Sequence, residues 1–214
     1  MSINYIAVLD HHHLENSIFL TSFAKSLAKL GDRKGIIIHG DSPYTDRLIQ
    51  TGMMREDARL RATKDLNKRL IGLFADQGVA TIGIHGFQKG LVKKKSGKID
   101  LDTDALQSLH ATPNLLISNL VDENGKASHV PLPDFTKSIS KALSKVEILL
   151  FSKNEKDEIL ISKSEEKLLW DHLTDEFLGE SIPDEFQDFN YPVKLTTAND
   201  FKNWPKLEKV TIIQ

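Results

Sequence analysis

One stretch, GIIIHGDSP at 35–43, constrains the fold of this chain more than any other. Its three consecutive isoleucines, at 36–38, have no polar residue between them, which is typical of a strand buried on both faces in a parallel sheet. The loop at 39–43 leaves this strand at its carboxyl end, where open α/β sheets place their ligands. A helix is predicted over 44–50, so backbone N–H groups of the loop can point at an anion. We therefore expect the functional site at this edge of the sheet.

A strand–helix–strand unit is predicted at the start of the chain. Residues 5–9 (YIAVL) form a first apolar strand, and Asn16 is placed to cap a helix over 17–29 that Gly31 ends. The apolar residues of that helix recur at helical spacing: Ile18, Phe19, Phe23, Leu27 and Leu30. Because such a βαβ unit is right-handed, the strands at 5–9 and 36–38 are expected to be parallel.

Strands and helices alternate along the rest of the chain. Further strands are predicted over 79–84, 115–120, 146–151, 158–161 and 209–213, and an exposed hairpin over 91–101 with its turn at Ser96-Gly97. Further helices are predicted over 55–77, 102–109, 133–143 and 165–178, with Asp134 and Ser164 as caps of the last two. This order predicts a three-layer αβα sandwich around a mainly parallel central sheet.

Charge and composition exclude several classes of function. The chain has 28 basic and 30 acidic side chains and a formal charge of -2, so it offers no electrostatic basis for binding nucleic acid or a membrane surface. It has no cysteine, which excludes disulfides and thiolate metal sites. The first residues have no basic region and only a short apolar run, so neither a signal peptide nor a membrane-spanning helix is expected. We expect a soluble, cytoplasmic protein that binds a small molecule.

Four segments, in their order along the chain, carry a resemblance to a known family. They are IIIHG at 36–40, Asn67-Lys68 with the run to GVATIGIHG at 78–86, Asp134 at the start of a helix, and VKLTTA at 193–198. In these segments the sequence resembles the amino-acid kinase family, and within it N-acetylglutamate kinase. The resemblance covers most of the chain, although no single motif is intact.

The resemblance implies one kinase-like domain with two functional halves. The substrate lies over 1–130 and ATP with Mg²⁺ over a shortened half at 131–214, and phosphate passes to the carboxylate of an N-acylated glutamate, a step of arginine biosynthesis. Lys194 stands where a catalytic lysine is expected, and Asp134 where an aspartate orients the lysines. The resemblance also implies substrate-binding residues His39, Gly40, Asp41 and Ser42, and nucleotide-binding residues Ser152 and Lys153.

Several positions depart from the family pattern. The first catalytic lysine, expected at the end of the first strand, falls on Val8 or its neighbours, and Asp10-His11 replace two glycines. Asp41 and Ser42 replace glycines of the second loop, and a carboxylate there repels an anionic substrate. These changes predict weakened or lost phosphotransfer. The alternative is a non-catalytic ligand-binding or regulatory module on a kinase fold. Family members often pair through a helix of the amino-terminal half, so the apolar helix faces here allow a homodimer.

A metal site is a further alternative. Asp10, His11, His39 and His85 follow core strands of one predicted sheet and could converge on its edge, and such a set could hold Zn²⁺ or another divalent ion. Nothing in the sequence has the local spacing of a known metal motif. We therefore prefer the kinase-like interpretation, with no metal-binding residues of this kind.

Overall fold

The computed structural model describes residues 3–31, 35–109, 114–143, 145–154 and 167–214. The chain begins with β1 (Tyr5–Leu9), α1 (Ser17–Lys29) and β2 (Gly35–His39). The two strands pair in parallel with Ile6 opposite Ile36, as predicted. The side chain of Asn16 accepts hydrogen bonds from the backbone N–H groups of Ile18 and Phe19, which confirms the predicted helix cap.

The remaining strands and helices follow β2. In chain order they are α2 (Tyr44–Gln50), α3 (Arg55–Asp76), β3 (Thr81–His85), β4 (Val92–Lys95), β5 (Lys98–Leu101), α4 (Thr103–Ser108), β6 (Asn114–Ser118), β7 (Leu120–Glu123), β8 (Lys126–His129), α5 (Leu132–Ala142), β9 (Glu147–Phe151), β10 (Lys167–Leu168), α6 (Asp175–Ser181), β11 (Val193–Thr196) and β12 (Thr211–Ile213). Short 3₁₀ turns join several of them. No helix in the described part of the chain is long and apolar enough to span a bilayer.

A large sheet organises the molecule. Among the described strands, eight form it in the order β10-β12-β11-β9-β1-β2-β6-β3. Every pair in it is parallel except β11 with β12, so the sheet is mainly parallel, as the sequence predicts. The carboxyl ends of β1, β2, β3, β6 and β9 consequently meet at one edge.

Helices cover both faces of this sheet. Successive strand residues point to opposite faces: Tyr5, Ala7 and Leu9 pack with α1 and α3, whereas Ile6 and Val8 pack with α5. Both faces of the central strands are therefore buried, which is why the sequence there is an unbroken apolar run. The predicted αβα layering is confirmed.

A second, smaller sheet was not predicted. Its described strands lie in the order β5-β4-β7-β8 and form two hairpins joined by a β4–β7 contact. The hairpin turn at Ser96-Gly97 is where the sequence placed it. The single strand predicted over 115–120 is wrong at its end, because Leu120 begins β7. Asn119 separates the two strands: its backbone N–H donates to the carbonyl of His39 and its side chain to that of Val130.

The helix predicted over 165–178 is wrong in its described residues before 175, and only its last four residues are helical, in α6. Lys167 and Leu168 pair with β12 instead, and α6 begins only at Asp175, where the side chain of Thr174 caps it. The apolar spacing of this segment is compatible with either structure, and the partner strand β12 decides between them. The proposed cap Ser164 and the strand predicted over 158–161 lie outside the described residues.

Two further local predictions are corrected. Asp134 does not cap α5: the helix starts at Leu132, with Pro131 in the cap position and no side-chain cap hydrogen bond. Because Pro133 needs no N–H partner in the first turn, the chain enters the helix earlier than expected. Ile18 does not face the core but is 74% exposed, since the buried face of α1 runs through Phe19 and Phe23.

Candidate functional site at the carboxyl edge of the sheet

His39 ends β2 and is fully buried. Its Nδ1 donates to the carbonyl of Gly40 at 2.8 Å, and its Nε2 accepts from the side-chain amide of Asn67 on α3 at 2.9 Å. Burial lowers the pKa of His39 to about 4; the bond to Gly40 opposes the shift and nearby His85 adds to it. His39 is therefore a neutral imidazole that ties the loop to α3.

Asp10 closes the carboxyl end of β1. Its carboxylate accepts hydrogen bonds from the backbone N–H groups of His12 and His13 and also contacts Nδ1 of His13. The other ring nitrogen of His13, Nε2, donates to the carbonyl of Ser152 at 3.0 Å. Asp10 and His13 are both buried, so this chain of contacts joins the end of β1 to the end of β9.

The loop after β2 carries an ion pair. Asp41 lies 3.3 Å from Nε of Arg59 on α3 and accepts from the hydroxyl of Thr45 at 3.2 Å. Ser42 is buried, and its hydroxyl accepts from the N–H of Tyr44 at 3.4 Å. These bonds fix the loop at the start of α2. Both side chains are held by the protein's own groups.

His129, at the end of β8, lies next to the loop that follows β2. Its Nε2 lies 3.9 Å from Asp41 and accepts from the amide of Asn119 at 3.0 Å. Burial lowers the pKa of His129 to about 4; Asp41 opposes the shift and Arg59 adds to it. Gly40 lies close to the side chain of Asn119: a Cβ added to this glycine would be 3.4 Å from Nδ2 of Asn119.

An acidic cleft of about 530 Å³ opens beside these groups. Its charged lining consists of Asp10, Glu15, Asp41, Asp46, Asp184, Glu185, Arg55 and Arg59, together with His11 and His12. Six carboxylates thus face two guanidinium groups. Partial burial raises the pKa of Glu185, and Asp10 and Asp41 add to the shift, against the hydrogen bond that its carboxylate accepts from the N–H of His11.

The other end of the same edge is cationic. His85 ends β3 and shares a 2.9 Å hydrogen bond with the hydroxyl of Ser118 at the end of β6. Burial lowers the pKa of His85, and the ammonium groups of Lys64 and Lys68 on α3 lower it further. The ring of His85 stacks on that of Phe87, with Nζ of Lys64 5.3 Å from the Phe87 centroid. We call Lys64, Lys68 and His85 the cationic end.

The two residues predicted to bind nucleotide lie at the end of β9. Ser152 is buried; its N–H donates to the carbonyl of Thr196 at 2.9 Å and its carbonyl accepts from His13. Nζ of Lys153 donates to Asp184 at 2.7 Å, and its backbone N–H donates to Ser181 at 3.1 Å. Both residues therefore lie at the expected edge, with their polar atoms bonded within the protein.

The structure does not bring Lys194 and Asp134, the two predicted catalytic residues, to this place. Lys194 is the second residue of β11 and donates to Oε1 of Glu147, the first residue of β9, at 2.7 Å. Because the two strands are parallel, this pair lies at the opposite, amino edge of the sheet. Asp134 is exposed in the first turn of α5 and lines a separate groove against the β4–β5 hairpin.

The residues of the metal alternative are not brought together. Within the described ranges, no three histidine or carboxylate side chains form a group that could hold a metal ion. Asp10 is engaged by His13, His39 by Asn67, and His85 by Ser118. These partners occupy three of the four side chains that the sequence suggested as ligands, so the described residues give no support to the four-residue metal hypothesis.

A magnesium nucleotide also fits the described residues of the acidic cleft poorly. Lys153 is paired with Asp184, and Arg59 with Asp41, so the cations nearest the ends of β9 and β2 already have carboxylate partners. The excess of carboxylates repels a polyphosphate. None of the described acidic groups is arranged as a metal-binding cluster that would offset that repulsion.

Comparison with solved structures identifies the fold of this chain. The fold is the amino-acid-kinase fold, and the predicted fold class is confirmed. The sequence matches no protein-family model and no curated protein. Three similar solved structures are smu.665 from Streptococcus mutans UA159 (TM-score 0.67, 12% identity, 98% of each chain covered), an isopentenyl phosphate kinase (0.63, 10%, 93% of this chain and 94% of that chain) and Giardia carbamate kinase (0.59, 10%, 100% and 99%). At this identity the likeness shows the fold alone.

Sequence reasoning missed three residues that shape the site. His13 was one of three adjacent histidines, with no signal to separate it from the exposed His12. Arg59 was one of several charged residues on α3, and Glu185 lay in a segment for which no helix or strand was predicted. Glu185 is 174 residues from its partner His11. Contacts between residues so far apart in the sequence leave no local pattern. The helical periodicity of apolar and polar residues around Arg59, by contrast, could have placed it on the loop side of α3.

Proposed function

We propose that this chain is a phosphotransferase-fold protein that binds a small carboxylate ligand and transfers phosphate weakly or not at all. The ligand position that we propose is the cationic end, where Lys64 and Lys68 of α3 lie near enough to His85 to lower its pKa. An anion there would be attracted by the two ammonium groups. The resemblance to N-acetylglutamate kinase makes an N-acylated glutamate, and with it a place in arginine biosynthesis, the first hypothesis for the ligand.

The observation that carries this proposal is the position of Asp10. The resemblance expects a lysine followed by glycines after the first strand, so that a cation and backbone N–H groups grip the transferring phosphate. Here a buried carboxylate stands at that end of β1, held by His13 and by two backbone N–H groups. A fixed negative charge repels the group that the lysine would attract.

A carboxylate in place of the expected lysine affects phosphoryl transfer directly. Phosphoryl transfer depends chiefly on positioning and on stabilising the charge of the transferring group. Asp10 and the cleft carboxylates oppose that stabilisation. The backbone N–H groups of His12 and His13 are also taken by Asp10, so they cannot donate to a phosphate oxygen in this arrangement. Weak or absent transfer is the expected consequence.

Thermal unfolding and an activity assay together test the proposal. The purified chain is melted with N-acetyl-L-glutamate, with ATP and Mg²⁺, and with both, while ADP release is followed in parallel. We expect N-acetyl-L-glutamate alone to raise the melting temperature as mass action predicts for a real site, with no ADP above the enzyme-free blank. A Lys68→Gln variant should reduce the shift, and Lys25→Gln, an exposed charge-matched change on α1, should retain it.

The two parts of the proposal fail separately. Sustained ADP release that requires N-acetyl-L-glutamate would overturn the loss of transfer and leave the ligand assignment standing. Absence of any shift with N-acetyl-L-glutamate would overturn this ligand. An equal loss of the shift in the Lys68 and Lys25 variants would show that binding follows net charge rather than the cationic end.

A further inference from the structure

A groove of about 650 Å³ lies between the β4–β5 hairpin and α5, away from the cleft. One wall carries Lys94 and Lys98 on the hairpin, and the other carries Lys137 and Lys141 on the helix. Lys137 and Lys141 are four residues apart, so they lie on one face of α5. We call this space the lysine groove. Its two walls are separate elements of the chain, so its charge is assembled by the fold.

Positive charge in the lysine groove is only partly balanced. Two aspartates, Asp100 and Asp134, line it beside the four lysines, which leaves an excess of two positive charges. Lys94 lies 3.0 Å from Glu123, and the ammonium of Lys137 lies over the ring of Tyr191 at 5.6 Å. No ion pair among the described residues uses the remaining two lysines, which are both exposed.

The lining of the groove also includes apolar residues. Leu101 and Val130 are buried, and Ile99 is half-buried. The lining shares no residue with the acidic cleft. A ligand here would therefore meet ammonium groups from two elements of the chain together with some apolar side chains. That combination suits a small organic anion better than an extended chain.

We propose that the lysine groove binds a phosphate-bearing small molecule, with Lys98 and Lys141 as the main contacts to its phosphate. A phosphate group carries nearly two negative charges at neutral pH, so it can meet one ammonium from each wall, and lysine binds phosphate as a compact point charge. A single carboxylate would leave one of the two lysines unbalanced. This site is independent of the proposed function and is distinct from both the cleft and the cationic end.

Calorimetric titration with inorganic pyrophosphate tests the site, because the probe carries the phosphate chemistry without an organic body. We expect binding by the wild-type chain with a Kd of about 1 mM or tighter. The double variant Lys98→Glu, Lys141→Glu should weaken it by at least about tenfold. The matched control is Lys25→Glu, Lys29→Glu, which makes the same change of net charge at two exposed positions of α1 that do not line the groove.

Each outcome decides the proposal. Loss of binding in the groove variant with retention in the control supports it. No binding by the wild-type chain overturns it, as does an equal loss in both variants, which would mark a response to net charge alone. If the charge-reversed groove variant fails to fold by circular dichroism, the neutral pair Lys98→Gln, Lys141→Gln replaces it, and unchanged pyrophosphate binding in that pair overturns the proposal.

Discussion

The ammonium of Lys194 donates a 2.7 Å hydrogen bond to Oε1 of Glu147, and this pair lies at the amino edge of the main sheet. The other oxygen of the same carboxylate accepts from the indole N–H of Trp204 at 2.8 Å. Lys194 therefore joins β11 to β9 on the side of the sheet opposite the candidate site. Its position indicates a structural role, and it separates this lysine from any ligand at the carboxyl edge.

Replacing Lys194 with methionine tests that role. Because the lysine and glutamate side chains are 24% and 37% exposed, solvent screens their attraction, and we expect the free energy of unfolding to fall by about 1 kcal/mol or less. Any ligand-induced rise in melting temperature should be unchanged. Urea denaturation and thermal melts measure the two effects. A variant of full stability that no longer responds to ligand would contradict this placement.

Replacing His13 with alanine should be far more damaging. The change leaves the Asp10 carboxylate buried without its ring partner, frees the Ser152 carbonyl and opens a cavity beside Phe19. Removing the partner of a buried carboxylate costs about 3 kcal/mol or more. His12→Ala is the matched control, since His12 is adjacent but exposed, and it should stay within about 0.5 kcal/mol of wild type. Urea denaturation of both variants makes the comparison, and equal losses would count against the buried pair.

Stability should fall in mild acid because of His39. The unfolded chain takes up a proton on this histidine near pH 6.5, whereas the folded chain does so only near pH 4. The stabilisation is therefore fully present above pH 6.5 and is lost as the pH drops toward 4, by about 3 kcal/mol for this group alone. His129 has its pKa lowered to about 4 and acts in the same direction.

Denaturant unfolding at pH 7 and pH 5 measures this dependence. The variant His39→Asn keeps a donor near the Gly40 carbonyl but has no titrating ring, so its stability should change less between the two pH values than that of the wild-type chain. His129→Asn should likewise reduce the change in stability between the two pH values, because the pKa of His129 is also lowered to about 4. An identical pH dependence in wild type and His39→Asn would show that His39 does not resist protonation in the folded chain.

Glu185→Gln should stabilise the chain at neutral pH. The pKa of Glu185 is raised by its partial burial and by Asp10 and Asp41, so its negative charge is unfavourable in the folded state above that pKa. Glutamine keeps an oxygen that can accept from the N–H of His11. We expect a higher melting temperature than wild type at pH 8 and no gain at pH 4. Asp188→Asn, an exposed carboxylate outside the cleft lining, is the control for net charge.

The sequence placed the candidate edge because its information there is local. The isoleucine run defined β2, Asn16 defined the start of α1, and the loop from His39 to Ser42 followed at the carboxyl end. The segment around Leu168 shows the limit of the same reasoning. Its apolar spacing fits a helix, yet pairing with Ile213 of β12 makes it a strand. A distant partner decided that structure, and no window of local sequence contains it.

The sequence by itself determined many of the strands and helices, the mainly parallel sheet, and the position of Asp10 and His11 directly after the first strand. The tertiary structure alone decided that Lys194 lies at the amino edge, that His13 rather than His12 holds Asp10, and that Asp134 lines a groove shared with Lys98. Secondary structure follows from residue periodicity over short windows. Which charges meet depends on strand direction and on contacts between residues far apart in the chain, and these are fixed only when the layers pack.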